Sequence, residues 1–459
     1  MKRVLFLVAA ALMMNVLYAQ DTTVAKVVSE EESHPHHRHH KGHPGEMPPP
    51  PMDPNAPAAP APAPKKVELK PYGFVRNYFY YDSRQTYNSN ASLFEQLPKD
   101  EAMAVTIDGD EYDKNSESEI NFLCITTRLG LDAKTRLQKT NVAAKIEADF
   151  CGISGSNFMV RLRQAYFKLD WMEKKHTLLL GQAWHPMSAD LPDVFALASG
   201  SPFHPFSRTP QMRYDYKPGK MNFTAAALWQ FQYKSVGPTG YDPKYNKIPE
   251  FYVGLDYSNN GFKVGAGLDI ISVVPRTVVS DSVMSGEKTV LGTWSVDERI
   301  TSCSPIFFIN YKKELFSVKA KALFGQNTAH LSQYSGYVAT EKFDDGSFDY
   351  KPMRNVTAWA DVCYGAKWKV NLFGGYFKNL GASEEIVDGI MYMRNSVKNL
   401  DFTWRVCPGV SYNMKALTVG LEYELTGAGY GDGCDEYGKV ETERKVYNNR
   451  LCCMMKFAW

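Results

Sequence analysis

Charged side chains in this chain fall at every second position of one run after another. The bases set this way are Arg76, Arg128, Lys145, Arg213, Lys263, Lys319, Lys321, Lys369, Arg405, Arg450 and Lys456. The acids are Asp82, Asp132, Glu147, Asp149, Asp215, Asp256, Asp269, Asp361, Glu422 and Glu424, so the two signs nearly balance. Opposed charges across a narrow water-filled space set up a field that sorts ions by sign and orients dipolar solutes. They break no bonds. Hydrolysis would need a nucleophile beside a base, and beyond the N-terminal region the only histidines are His176, His185, His204 and His330. His185 and His204 share a segment with Ser188, Ser201 and Ser207, but there is no Gly-x-Ser-x-Gly frame and no ordered acid partner. The expectation is a chain that is not an enzyme and needs no cofactor. Metal chemistry has one weak candidate, the neutral imidazoles of His36, His37, His39 and His40, which are of the type that holds Zn, Ni or Cu. The acidic stretch Gly431-Asp-Gly-Cys-Asp-Glu436 lacks EF-hand spacing.

Composition narrows the class. A net charge of +2 with 22% charged residues gives no reason to expect a nucleic-acid partner. Beyond the N-terminus no apolar run approaches the ~18 residues of a transmembrane helix. A transmembrane barrel hides its hydrophobicity in alternate residues, so this does not exclude a membrane. Of the 8 cysteines, only Cys434 is clearly in a loop, and none are in a Cys-x-x-Cys pair. Mostly free, packed thiols are expected. Residues 1–19 read as a signal peptide: Lys2 and Arg3, an apolar core from Val4 to Leu17, then Ala19. Residues 20–66, rich in His and Pro, read as a disordered periplasmic linker, extended and solvated.

The charges need strands to position them, and from Tyr72 onward the chain supplies alternating runs. We count sixteen, from Tyr72–Ser83 to Val446–Trp459. Tight connections such as Lys217-Pro-Gly-Lys220 and Ser258-Asn-Asn-Gly261 carry hairpin chemistry. They alternate with long polar connections, the chief exception being 152–157. A membrane imposes that asymmetry, with short turns on one side and long loops on the other. One face of each run is apolar and uncharged, as in Phe223, Ala225, Ala227 and Trp229, or Leu417, Val419, Leu421, Tyr423 and Leu425. Aromatic residues bracket the tight turns, Tyr257 with Phe262 and Tyr311 with Phe316, as an interfacial girdle would. The predicted fold class is all-β: a transmembrane antiparallel β-barrel of about 16 strands over 67–459, with short periplasmic turns and long extracellular loops. A barrel of that size is too wide for side chains to fill. The last ten residues alternate Leu451, Cys453, Met455, Phe457 and Trp459 against Arg450, Cys452, Met454, Lys456 and Ala458. They are expected to close the barrel on Tyr72–Ser83.

Four short motifs then stand in order: Tyr72-Gly-Phe-Val-Arg76, Arg161-Leu-Arg-Gln-Ala-Tyr166, Gly181-Gln-Ala-Trp184 and Phe457-x-Trp459. With this layout the chain resembles the sixteen-stranded porins of Gram-negative outer membranes, and among them the DcaP-like and phosphate-selective families, over nearly all of 70–459. The resemblance implies a cell-outer-membrane location, contact with outer-membrane lipid and a homotrimer. It also implies passive diffusion of small hydrophilic solutes or ions past a loop that folds inward after the fifth strand. That loop would be 185–210, with Asp190, Asp193 and Arg208 as the constriction charges. DcaP-like porins usually carry an N-terminal coiled coil; the His/Pro-rich segment here has no heptads. A basic lumen wall is expected from Arg76, Arg128, Arg405 and Arg450, with Arg161 and Arg163 joining it unless a bulge swaps their faces. The alternative function is a binding or adhesion barrel using its long loops.

Overall fold

The structure is a computed structural model. It describes residues 67–89, 94–154, 157–195, 200–285 and 288–459. The expected signal peptide and the linker, with His36, His37, His39 and His40, lie outside the described residues. Sixteen antiparallel strands form one closed sheet. They are β1 (Glu68–Asp82), β2 in two pieces (Glu119–Leu123 and Arg128–Leu137), β3 (Thr140–Ser154), β4 (Asn157–Trp171), β5 (His176–Trp184), β6 (Arg208–Tyr216), β7 (Met221–Leu228), β8 (Glu250–Asn259), β9 (Phe262–Val273), β10 (Ile300–Lys313), β11 (Phe316–Gln326), β12 (Arg354–Gly365), β13 (Trp368–Gly381), β14 (Leu400–Met414), β15 (Leu417–Tyr430) and β16 (Arg444–Ala458). The seam is β16 on β1, in register from Phe74 opposite Ala458 to Asp82 opposite Arg450. The strand count and the closing pair agree with the sequence reading.

Alternation explains which face meets what. Val75, Phe79, Phe223, Val253, Phe307, Leu372, Leu421, Leu451 and Phe457 point outward and are exposed. The face between them turns inward. At the tight-turn end, Trp171, His176 and Tyr216 stack, Tyr311 lies against Phe316, and Trp368 against Tyr412. No helix among the described residues is long and apolar enough to cross a membrane. All eight cysteines are free; Cys151, Cys363, Cys407 and Cys452 are buried, while Cys124, Cys303 and Cys434 are exposed. The packing expectation therefore holds for only part of the set.

Two bulges change the predicted faces. On β2, four residues, 124–127, face three residues of β1. The extra residue shifts the alternation, so Ile120 and Phe122 point outward above it and Leu129 and Leu131 below it. Leu123 and Ile125, expected outside with Leu129, instead join an interior cluster with Tyr78, Tyr80 and Phe206. On β4, Arg163 is the inserted residue: Ala148 faces Leu162 while Glu147 faces Gln164. This bulge brings Arg163 inward beside Arg161 rather than separating them.

Two long connections enter the barrel. Residues 185–207 join β5 to β6. From the 83–118 connection, a hairpin of Thr86–Ser89 with Phe94–Pro98 packs its Phe94 and Leu97 into interior clusters. The inward hairpin was not foreseen.

Candidate functional site

Residues 185–195 run along the inner wall and are tied to strand after strand. Asp190 meets Lys263 of β9 at 3.3 Å. Lys321 of β11 donates to the Met187 carbonyl at 3.0 Å and also to that of Ala189. Lys319, two residues earlier, donates to the Leu191 carbonyl at 2.7 Å and pairs with Asp193 at 3.2 Å. Lys369 of β13 reaches the other Asp193 oxygen at 2.9 Å. Asp361 of β12 accepts the Asp193 backbone N–H at 2.9 Å, and Glu422 of β15 accepts that of Phe195 at 3.1 Å. Tyr78 of β1 donates to the Phe195 carbonyl. The strands can offer these groups because the period of two points every second residue inward.

Asp190 and Asp193 thus face lysines of the wall. Burial alone would raise both carboxyl pKa values, but Lys263 and Lys321 at Asp190, and Lys319 and Lys369 at Asp193, outweigh it and hold both below the ordinary range. Sequence reasoning had placed Lys263, Lys319, Lys321 and Lys369 on inner faces. It had no means of linking them to the loop acids, because that link is set by the path of the loop.

The six wall arginines divide. Arg76 stands opposite Lys456 in the seam, and its Nε donates to Thr126 at 2.9 Å. Arg128 lies 3.6 Å from Glu147, and both Arg76 and Arg128 sit over the Phe74 ring at 5.1 and 5.0 Å. Arg161 is bidentate on Asp149 at 3.0 and 2.9 Å. Arg163 bridges Glu147 at 2.9 Å and Asp149 at 2.6 Å. These residues sit on consecutive strands from β16 through β4. Five cations (Arg76, Arg128, Arg161, Arg163 and Lys456) face two carboxylates (Glu147 and Asp149), a surplus of three positive charges on one stretch of wall.

Arg405 and Arg450 are corrected. Both point inward, but they are only 2% and 1% exposed. Arg450 was expected beside Arg76. The register sets it opposite Asp82, which it binds bidentately, while Lys456 takes the place beside Arg76. Arg405 donates to Thr426 at 2.8 Å and to the carbonyls of Ser201 and Gln96 at 3.1 and 3.2 Å. Oriented to do so, the Gln96 amide accepts from Arg450 and donates to Glu424. These two arginines hold the two inward-folded connections against β14–β16. Arg208 is also corrected: it opens β6 and is fully buried, packed against Trp184 and bonded to Tyr233 at 2.8 Å.

Ser188, Ser201 and His185 are engaged in bonds within the fold. Ser188 Oγ accepts the Ser207 backbone N–H, Ser201 Oγ donates to the Ser332 carbonyl, and His185 Nε2 lies 2.5 Å from Glu250. His185, His204, Ser201 and Ser207 are fully buried.

No described protein family matches the sequence, and no curated protein matches it. Among solved structures, the chain is similar to the outer membrane channel DcaP of Acinetobacter baumannii, at 19% identity and a TM-score of 0.57, over 86% of this chain and 97% of that one. It is also similar to the outer-membrane-expressed OmpT of Vibrio cholerae, at 11% identity and a TM-score of 0.50, over 86% of this chain and 98% of that one. The likeness shows that the fold is the sixteen-stranded porin barrel.

Proposed function

We propose that the chain is a porin of a Gram-negative outer membrane, passing small hydrophilic solutes and ions by passive diffusion. The 185–207 segment would be its constriction. The observation that carries this reading is that segment, pinned by lysines of β9, β11 and β13 while Arg76, Arg128, Arg161 and Lys456 on β16 through β4 stay partly exposed. A non-enzymatic channel also fits the burial of the histidines and serines. In this reading Asp190 and Asp193 serve chiefly to hold the loop, since each is paired with lysine. Arg76, Arg128, Arg161 and Lys456 supply the wall that a solute meets; Arg128 and Arg161 are about one-fifth exposed. Surplus positive charge raises the local concentration of anions and lowers that of cations, so the channel favours anions. A homotrimer, as the resemblance implies, and a leader and linker over 1–66 belong to the same proposal.

Reversal potential across a planar bilayer under a KCl gradient tests it. The wild type is expected to prefer chloride. Arg76→Gln with Arg128→Gln should lower the chloride-to-potassium permeability ratio at least ~2-fold. No conductance in bilayers together with no swelling of sugar-loaded liposomes would sink the channel reading. Unchanged selectivity in the double variant would sink the basic-wall assignment alone.

A further inference from the structure

Beyond permeation, the interior contains a cluster that the channel reading does not use. His185 at the root of the inward segment, Glu250 and Asp269 at the loop ends of β8 and β9, and His330 in the 327–353 connection meet inside the wall. Their side chains are 0 to 1% exposed. A ligand atom of His185, Glu250 and Asp269 lies within 4.8 Å of each of the other two. His330 Nε2 is 3.5 Å from both Glu250 Oε1 and Asp269 Oδ2. It is hydrogen-bonded to neither, and both Asp269 oxygens and Glu250 Oε2 lack a hydrogen-bond partner among the described residues. Among the described residues, no lysine or arginine pairs with either carboxylate there; the ion pairs of Glu250 and Asp269 are with these histidines.

The Met187 backbone N–H donates to His185 Nδ1 at 3.1 Å, so His185 has its single proton on Nε2, gives it to Glu250, and brings no charge. Two carboxylates then share one further histidine, His330, at 3.5 Å from each. Buried charge left in that condition is costly. A divalent cation among Glu250, Asp269 and His330 would resolve it. Ligand atoms ~2.0–2.1 Å from a four-coordinate zinc stand roughly 3.4 Å apart, close to the His330 spacings. One imidazole with two carboxylates suits zinc or a neighbouring first-row dication better than calcium, which takes six or more oxygens. We propose that Glu250, Asp269 and His330 form a zinc-class metal site, with His185 as the outer partner that orients Glu250. The metal would join the 327–353 connection, and through His185 the root of the 185–207 segment, to β8 and β9.

The test uses the full chain with the six linker histidines (His34, His36, His37, His39, His40 and His43) replaced by Ala, so that only barrel sites are counted. After equilibration with Zn2+, this parent should retain about one Zn2+ per chain. His330→Ala and Asp269→Asn should lose that equivalent, and His185→Ala should bind it about 10–100-fold more weakly. Should a variant fail to fold, as judged by heat-modifiable migration in SDS gels, Co2+ in the parent decides. The visible absorption of a four- or five-coordinate ion supports the site, and the weak six-coordinate spectrum overturns it. A parent that holds no Zn2+, or His330→Ala and Asp269→Asn proteins that bind like the parent, overturns it too. Metal content does not depend on conductance, so this result and the channel reading can fail separately.

Discussion

Asp193 shows how one side chain can hold a loop. Its carboxylate is met by Lys319 and Lys369, and its backbone N–H by Asp361. Replacing it with Asn leaves the backbone anchors in place but removes one negative charge and releases two positive ones. Asp193→Asn should therefore raise the chloride-to-potassium ratio at least ~2-fold, read from the reversal potential, with little change in folding. The pH dependence follows from the depressed pKa. A carboxyl whose folded pKa is lowered contributes its stabilisation above its unfolded value, about 3.9, and loses it as pH falls through the folded one. Wild-type selectivity should stay flat from pH 7 to about 4 and approach that of Asp193→Asn only below it. A transition at pH 5–6 would refute the pairing. The inward direction of Asp361, Lys319 and Arg405 could be read from parity alone. What covers them could not, since burial of Arg405 and Arg450 depends on two loops that carry no periodic signal.

At the level of the strand, parity was a sound guide wherever the pleat ran unbroken, and it failed at the bulges. The outer faces of β7, β9, β11 and β15 are as expected. On β2 a single extra residue moved Leu123 and Ile125 to the inside, and nothing in Cys124-Ile-Thr-Thr127 marks it. The bulge uses its polar side chains on β1: Thr126 accepts from Arg76 Nε, and Thr127 Oγ accepts the Arg76 backbone N–H at 3.3 Å. The seam could be read from Leu451 to Trp459, and its rim explains a glycine. A Cβ at Gly73 would lie 2.7 Å from the Trp459 ring and 2.8 Å from the Arg128 carbonyl. The carbonyl is backbone and cannot give way. Gly73→Val should therefore open the rim at a cost of ~1–3 kcal/mol. The expected readout is a lower temperature for the heat-modifiable shift in SDS gels, while Gly374→Ala, at a site with no atom within 4 Å, should leave it unchanged.

Across the whole barrel, the near balance of charge in the sequence conceals a segregation. The lysines of β9, β11 and β13 are taken up by the inward segment, and Arg450 by Asp82, while β16 through β4 keep a surplus. Selectivity arising from a surface surplus must be screened by salt. The Debye length is about 10 Å at 0.1 M and about 3 Å at 1 M. At the lower concentration the wall's potential reaches well into the water beyond the side chains; at the higher one it stays near them. The chloride-to-potassium ratio should accordingly be at least ~2-fold larger in 0.1 M than in 1 M KCl. Replacing Arg76, Arg128 and Lys456 together with Gln removes three of the five cations and cancels the surplus, leaving two against two. That variant should show nearly the same ratio at both concentrations. A constriction that selects by close contact with individual groups would behave differently, because contacts at ion-pair distance are screened little by bulk salt. Equal ratios in the wild type at 0.1 and 1 M would therefore place selectivity at Asp190, Asp193 and their lysines, and reduce the basic wall to a structural ladder.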